Sequence, residues 1–200
     1  MKKGLLIVFE GIDGSGKTTI SKLFFDHLIK MKLKVSWFRE PSDSKWGQKI
    51  RELADTKSSI PINEELNYFI MDRKWDVEKN IIPALNRGEI VILDRYYFST
   101  ACYQGARGLD IKKIISMNTE FAPEHDLLFL IDVDVDTAMT RIKKGRIAEA
   151  KLFEKKDFLK KVRQNYLNLD IKNIKIIDGR NEINTVLSDV ISEFDQLSLQ

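Results

Sequence analysis

Cysteine is almost absent from this 200-residue chain: Cys102 stands alone, which leaves no intramolecular disulfide framework. A strong net charge is missing too. The 33 Lys and Arg against 30 Asp and Glu give +3, and the signs are interspersed, which speaks against a nucleic-acid groove and leaves anionic small molecules open. No apolar run approaches the roughly eighteen residues of a membrane span. The four prolines and ten glycines gather into no linker, so one domain covering residues 1–200 is expected. Residues 1–9 faintly imitate a secretory leader, but Glu10 ends the apolar run too early, and the segment reads as a first strand of a cytoplasmic protein. The two histidines, His27 and His125, sit near no Ser or Cys pattern that suggests a hydrolase, and read as surface or packing residues.

What the chain does have is an apolar strand running into Gly11-Ile12-Asp13-Gly14-Ser15-Gly16-Lys17-Thr18, followed by Thr19 and apolar residues at helical spacing. Glycines there let successive backbone N–H groups turn inward around a phosphate chain, Lys17 reaches the β and γ oxygens, and the Thr18 hydroxyl is placed to ligate Mg²⁺. Strand before and helix after are the context that this motif requires.

Short β-rich runs at 34–38, 90–93, 127–132 and 174–177 alternate with helical patterns, which argues for a parallel sheet with helices on both faces. These runs are nearly all apolar, as strands buried on both sides are. The expected architecture is the α/β P-loop NTPase fold: a five-stranded parallel sheet flanked by helices, with a small basic lid at about 141–153. Residues 63–87 read as one helix capped by Asn63 and bent late by Pro83, with further helices at 157–169 and 182–194. Ligands belong at the strand C-termini.

A second constellation ends the run Ile90-Val91-Ile92-Leu93-Asp94. Asp94 is the candidate on the metal side, and Arg95 beside it can grip a second phosphate bidentately; a simple ion pair closing the strand is the alternative. Two anions side by side suggest phosphoryl transfer between them. Asp132 rivals Asp94, but Asp134 and Asp136 follow it, so helix capping explains it better. Phe69 and Arg73, four apart, share a helix face, where an aromatic plate beside a donor fork suits a base and an ordinary core position is the alternative for Phe69.

The run Asp94-Arg95-Tyr96-Tyr97-Phe98-Ser99-Thr100-Ala101-Cys102-Tyr103-Gln104-Gly105 resembles the Asp-Arg-Tyr signature of thymidylate kinases. The phosphate loop, Arg39-Glu40-Pro41, Phe69 with Arg73, Ile82-Pro83-Ala84-Leu85 and the stretch 158–167 are similar to that family in the same order. The resemblance implies transfer of the γ-phosphoryl group of ATP to dTMP, with ATP and Mg²⁺ bound and a homodimer as the assembly. A different nucleoside monophosphate kinase or a deoxynucleoside kinase of the same fold is the alternative.

Residue by residue, the resemblance implies that Phe69 stacks on thymine and Arg73 donates to its O4. It likewise implies that Asp13 accepts from the 3′-OH, that Arg95 and Arg39 hold the acceptor phosphate, and that Tyr103 crowds the 2′ position. Ser99, Thr100 and Gln104 are candidates for the base edge, or else loop groups satisfying the backbone. Gly14 and Ser15 carry no arginine, whereas one branch of the family has a basic residue at that place in the loop. The other branch supplies the cation from a lid, here 141–151. Arg146 is the leading transition-state cation, with Arg141, also a nucleotide contact, and Lys151 behind it; for Lys143 and Lys144 a solvated helix end is the alternative. The chain differs from the family at Leu152-Phe153 before Glu154, and at Ser42-Asp43-Ser44-Lys45, where glycines are usual.

Overall fold

The computed structural model describes residues 4–56, 60–142 and 149–198, with side chains for all of these except 149–154 and 198. Five parallel strands form one sheet in the order β2-β3-β1-β4-β5. They are β1 (Leu5–Glu10), β2 (Val35–Arg39), β3 (Ile90–Asp94), β4 (Leu127–Asp132) and β5 (Ile174–Asp178). The three central strands are buried as their apolar runs require. β2 and β5 lie at the edges and are only half-buried, with Ile176 exposed, which corrects the expectation of burial on both sides for those two.

Alternation along each strand divides the core. Leu6, Val8, Val91, Leu93, Leu128 and Leu130 face one helix layer, while Ile7, Phe9, Ile92, Leu127, Phe129 and Ile131 face the other. The second face is closed by α1 (Lys17–Lys30) and α9 (Ile183–Ser198), where Phe24 packs on Phe9, Phe129 and Phe194. The first face is closed by α5 (Tyr97–Ala106), α8 (Glu149–Leu167) and the segment before β3. Also present are α2 (Lys45–Thr56), α6 (Ile111–Thr119) and α7 (Val135–Ile142). No described helix is long and apolar enough to cross a membrane.

The segment expected as one helix over 63–87 is three pieces. α3 (Ile62–Asp76) begins after Pro61, whose carbonyl accepts from the N–H groups of Glu64 and Glu65, so Asn63 is inside the first turn and is not the cap. A π-helical turn, Val77–Ile81, follows, and α4 (Ile82–Asn86) holds Pro83 in its first turn. Proline has no N–H to donate and its ring crowds the preceding turn, so the regular α-helical ladder gives way to the wider turn just before Pro83.

Parallel register then sets out the site. Phe9 pairs with Asp94, and Arg39 pairs with Asp94 from the other side, so the C-terminal ends of β1, β3 and β2 bring Glu10, Asp94 and Arg39 to one edge. This is where an open parallel sheet binds ligands.

Candidate active site

Between β1 and α1 the chain turns with positive φ at Gly11 (145°), Gly14 (82°) and Gly16 (97°), a backbone that side chains disfavour. Gly14 is also sterically closed. A Cβ there would stand 2.5 Å from the Ala138 carbonyl oxygen of α7, so no side chain fits, which is a physical reason for the missing loop arginine. Ser15 and Lys17 are buried. Among the described residues the Lys17 ammonium makes a 3.4 Å contact to the Ile12 carbonyl, and burial, reinforced by Arg95, lowers its pKa to about 8.

The Thr18 hydroxyl donates to Asp94 Oδ2 at 2.6 Å. Asp94 is 0% exposed, and its other oxygen, Oδ1, has no hydrogen-bond partner among the described residues. Arg39 approaches Oδ2 at 3.5 Å from a largely exposed position. A buried carboxylate oxygen left unpaired is costly and calls for an unplaced partner. The two sequence-predicted metal ligands thus stand together with one oxygen free.

Arg95 leaves β3 with φ at 76°, a left-handed conformation that strains a residue bearing Cβ. It donates to Asp13 Oδ1 at 2.5 Å and to Ser99 Oγ at 3.0 Å. Burial works against the Asp13 carboxylate, but Arg95 and Lys17 outweigh it and hold its pKa below the ordinary value. The Asp13 N–H donates to Tyr103 Oη at 3.0 Å. One residue with no predicted role organises this wall. Glu10, fully buried, accepts from the N–H groups of Tyr96 and Ser99 and from the hydroxyls of Ser99 and Tyr166 at 2.6–3.0 Å. It thereby closes the N-terminus of α5, where a carboxylate is favoured. Burial raises its pKa against those donors. A charged residue closing an apolar strand was the signal available for it in the sequence.

A cavity of about 520 Å³ opens beside Arg95, lined among others by Pro41, Ile50, Phe69, Ser99, Thr100, Tyr103, Gln104 and Phe158. Ser99, Thr100, Tyr103 and Gln104 are on α5, at spacings of three and four on one face, which replaces the loop alternative for them. Arg73 is 1% exposed and does not line this cavity. Its Nε donates to both Glu40 oxygens (3.0 and 2.9 Å), one terminal nitrogen to Glu40 and Thr100 Oγ1, and the other to Asn118 Oδ1 at 2.7 Å. Burial opposes the Arg73 charge, yet Glu40 more than offsets it and raises its pKa. Glu40 stands in the quoted segment Arg39-Glu40-Pro41 without a role, Asn118 was not singled out, and nothing local marks a pairing 33 or 45 positions away. The unusual loop at 42–44 is likewise held: Asp72 accepts from the Ser42 N–H and from both serine hydroxyls, and Ser44 Oγ accepts from the N–H groups of Trp46 and Gly47 as α2 begins.

A second cavity of about 210 Å³ lies across the phosphate loop, lined by Ser15, Gly16, Thr19, Arg141, Gly179, Asn181 and Ile183 among others. Arg141 joins its two sides, donating to the Ser15 carbonyl at 3.1 Å and the Gly179 carbonyl at 2.9 Å. Gly179 and Asn181 went unassigned in the sequence, although the turn residues after β5 were a signal. Asp132 is taken up by a two-pronged pair with Arg163 at 2.7 Å, and it is Asp134 that caps α7 through Thr137. Arg146, Lys143 and Lys144 lie outside the described residues, and Lys151 stands on α8 without a described side chain.

A family model described as thymidylate kinase matches residues 9–190. A thymidylate kinase from Desulfotalea psychrophila is 41% identical over 194 residues, covering 97% of this chain and 96% of that protein. A probable thymidylate kinase from Archaeoglobus fulgidus is 41% identical over 187 residues, covering 93% and 92%. In three dimensions, the crystal structure of thymidylate kinase from Ehrlichia chaffeensis superimposes with a TM-score of 0.78 at 30% identity, over 96% of this chain and 99% of that one. The chain belongs to the thymidylate kinase family.

Proposed function

We propose that the chain transfers the γ-phosphoryl group of ATP to dTMP, giving ADP and dTDP. The observation that carries this reading is the Asp13–Arg95 ion pair, through which the phosphate loop and the wall of the larger cavity share one boundary. A donor phosphate chain on the loop and an acceptor phosphate at Arg95 would then be neighbours across that boundary. In-line phosphoryl transfer asks for that juxtaposition and little covalent help.

The residues fit Mg²⁺. Thr18 Oγ1 and Asp94 would hold it, Asp94 directly or through water, with the nucleotide phosphates completing the shell, as suits a cation that takes few protein ligands. When bound, it neutralises charge on the β and γ oxygens. Lys17, loosely held in the ligand-free protein, turns to those oxygens, and their negative charge opposes the burial that depresses its pKa.

On the acceptor side, Arg95 exchanges part of its hold on Asp13 for the dTMP phosphate, and Asp13 is freed toward the 3′-OH. Phe69 supplies a ring to the base from α3, with Thr100 and Gln104 lining the same cavity from α5. Arg73 acts from behind that wall, through Thr100 and the Glu40 pair. Arg141 ties the loop to the far cavity, which takes the ATP base. Arg146 is assigned the transition-state charge on sequence grounds, and the assembly is read as a homodimer.

A coupled ADP-release assay across dTMP, dUMP, dCMP, dGMP and thymidine, with and without Mg²⁺, tests this reading. ADP release that requires both dTMP and Mg²⁺ is expected. Turnover of thymidine without turnover of dTMP would replace the reading with that of a nucleoside kinase.

A further inference from the structure

Gln104 has the two ends of its amide held by groups of opposite kind. Its Nε2 donates to Glu65 Oε1 at 3.3 Å, and its Oε1 accepts from an Arg107 terminal nitrogen at 3.0 Å. The same Arg107 nitrogen donates to Glu65 Oε2, closing a three-residue ring between α3 and the end of α5. A carboxylate only accepts and a guanidinium only donates. Turning the amide by 180° would set carbonyl oxygen against carboxylate and NH₂ against guanidinium, so charge fixes the order of donor and acceptor. Gln104 is 3% exposed, and all three residues line the larger cavity with Phe69 and Thr100. A primary amide has two N–H bonds and two lone pairs, and the ring uses one of each, so one donor and one acceptor remain.

We infer that Glu65 and Arg107 are positioning residues that lock the Gln104 amide, so that the cavity selects a pyrimidine with N3–H beside a carbonyl over one with bare N3 beside an amino group. This rests on the reading of that cavity as the acceptor-base site. Thymine offers a donor at N3 and an acceptor at O4; cytosine offers the same two positions with the polarity reversed. A locked amide presents one fixed polarity to whichever of these two positions its remaining lone pair or N–H faces, whereas a free amide flips to suit either. At the N3–C4 edge the two bases have nearly the same outline, so polarity separates them there; the C5 methyl of thymine is a separate difference that the variants leave untouched.

The experiment measures equilibrium binding of dTMP and dCMP by calorimetry, and kcat/KM for both, in the wild-type protein and in Glu65→Gln, Arg107→Met, their double variant and Arg107→Lys. The wild-type protein should prefer dTMP. The double variant should narrow the dTMP-to-dCMP ratio about tenfold or more, the scale on which a paired edge contact discriminates, with dCMP binding more tightly than before. Arg107→Lys, which keeps a donor facing the amide oxygen, should retain the ratio to within about threefold. A ratio unchanged in the double variant, or both nucleotides weakened in proportion, overturns the lock and leaves the acceptor assignment standing. Wild-type protein that binds no dTMP overturns the acceptor assignment and the lock with it.

Discussion

Thr18 Oγ1 and Asp94 Oδ2 are 2.6 Å apart although 76 positions separate them in sequence, and Oδ1 of the same buried carboxylate has no partner among the described residues. The hydroxyl comes from the first turn of α1 and the carboxylate from the end of β3, so the pair exists only because β1 and β3 lie side by side in register.

Asp94→Asn should therefore separate activity from stability. Turnover should fall by about a hundredfold or more, on the scale of losing one preorganised electrostatic contact, and the Mg²⁺ concentration for half-maximal rate should rise. Thermal unfolding of the ligand-free variant should come at an unchanged or higher temperature, because the variant no longer buries a carboxylate with one oxygen lacking a hydrogen-bond partner among the described residues. Steady-state kinetics against Mg²⁺ and a melting curve check both.

Arg141→Ala should raise KM for ATP about tenfold and leave KM for dTMP within about twofold, since its two hydrogen bonds join the loop to the turn at Gly179 and none reaches the larger cavity. A comparable rise for both substrates would show that Arg141 holds the whole loop rather than the donor side.

Glu10→Gln should destabilise the protein by about 2 kcal/mol or more, because an amide has one acceptor oxygen where the carboxylate serves four donors. Chemical denaturation with an unchanged m-value measures it. Loss of activity should follow through Ser99, which Glu10 holds and which accepts from Arg95.

Asp76 gives a pH-dependent test. Burial lifts its carboxyl to about 6 from an unfolded value near 3.8, and Oδ2 has no partner among the described residues. A raised folded pKa means that the native state holds the proton more tightly. The stability from this group is then present below the unfolded value and lost as pH rises through about 6. Asp76→Asn should raise Tm at pH 8 relative to wild type, with the gain shrinking toward pH 4. A constant difference across that range would assign the effect to packing instead of titration.

The sequence made some of this legible and hid the rest for identifiable reasons. Runs of apolar residues ending in Glu10 and Asp132 delimit β1 and β4 to the residue, since a buried parallel strand is a purely local pattern. The start of α3 was misplaced because Asn63 is a good cap in general, whereas here Pro61 opens the helix two residues earlier. At the site, the phosphate loop and the Asp94-Arg95 pair could be read from spacing. The setting of Arg73 could not: Phe69 lines the cavity four residues away, while Arg73 is drawn behind the wall by Glu40 and Asn118, and such pairing depends on which strands and helices become neighbours.

The closeness of the Ala138 carbonyl to position 14 makes the phosphate loop and α7 mechanically interdependent. A side chain at position 14 fits only if α7 retreats, and α7 carries Arg141 in its last turn, whose hydrogen bonds hold the Ser15 and Gly179 carbonyls. The cost of adding one side chain to the loop would therefore be felt at the turn after β5, on the far side of the second cavity.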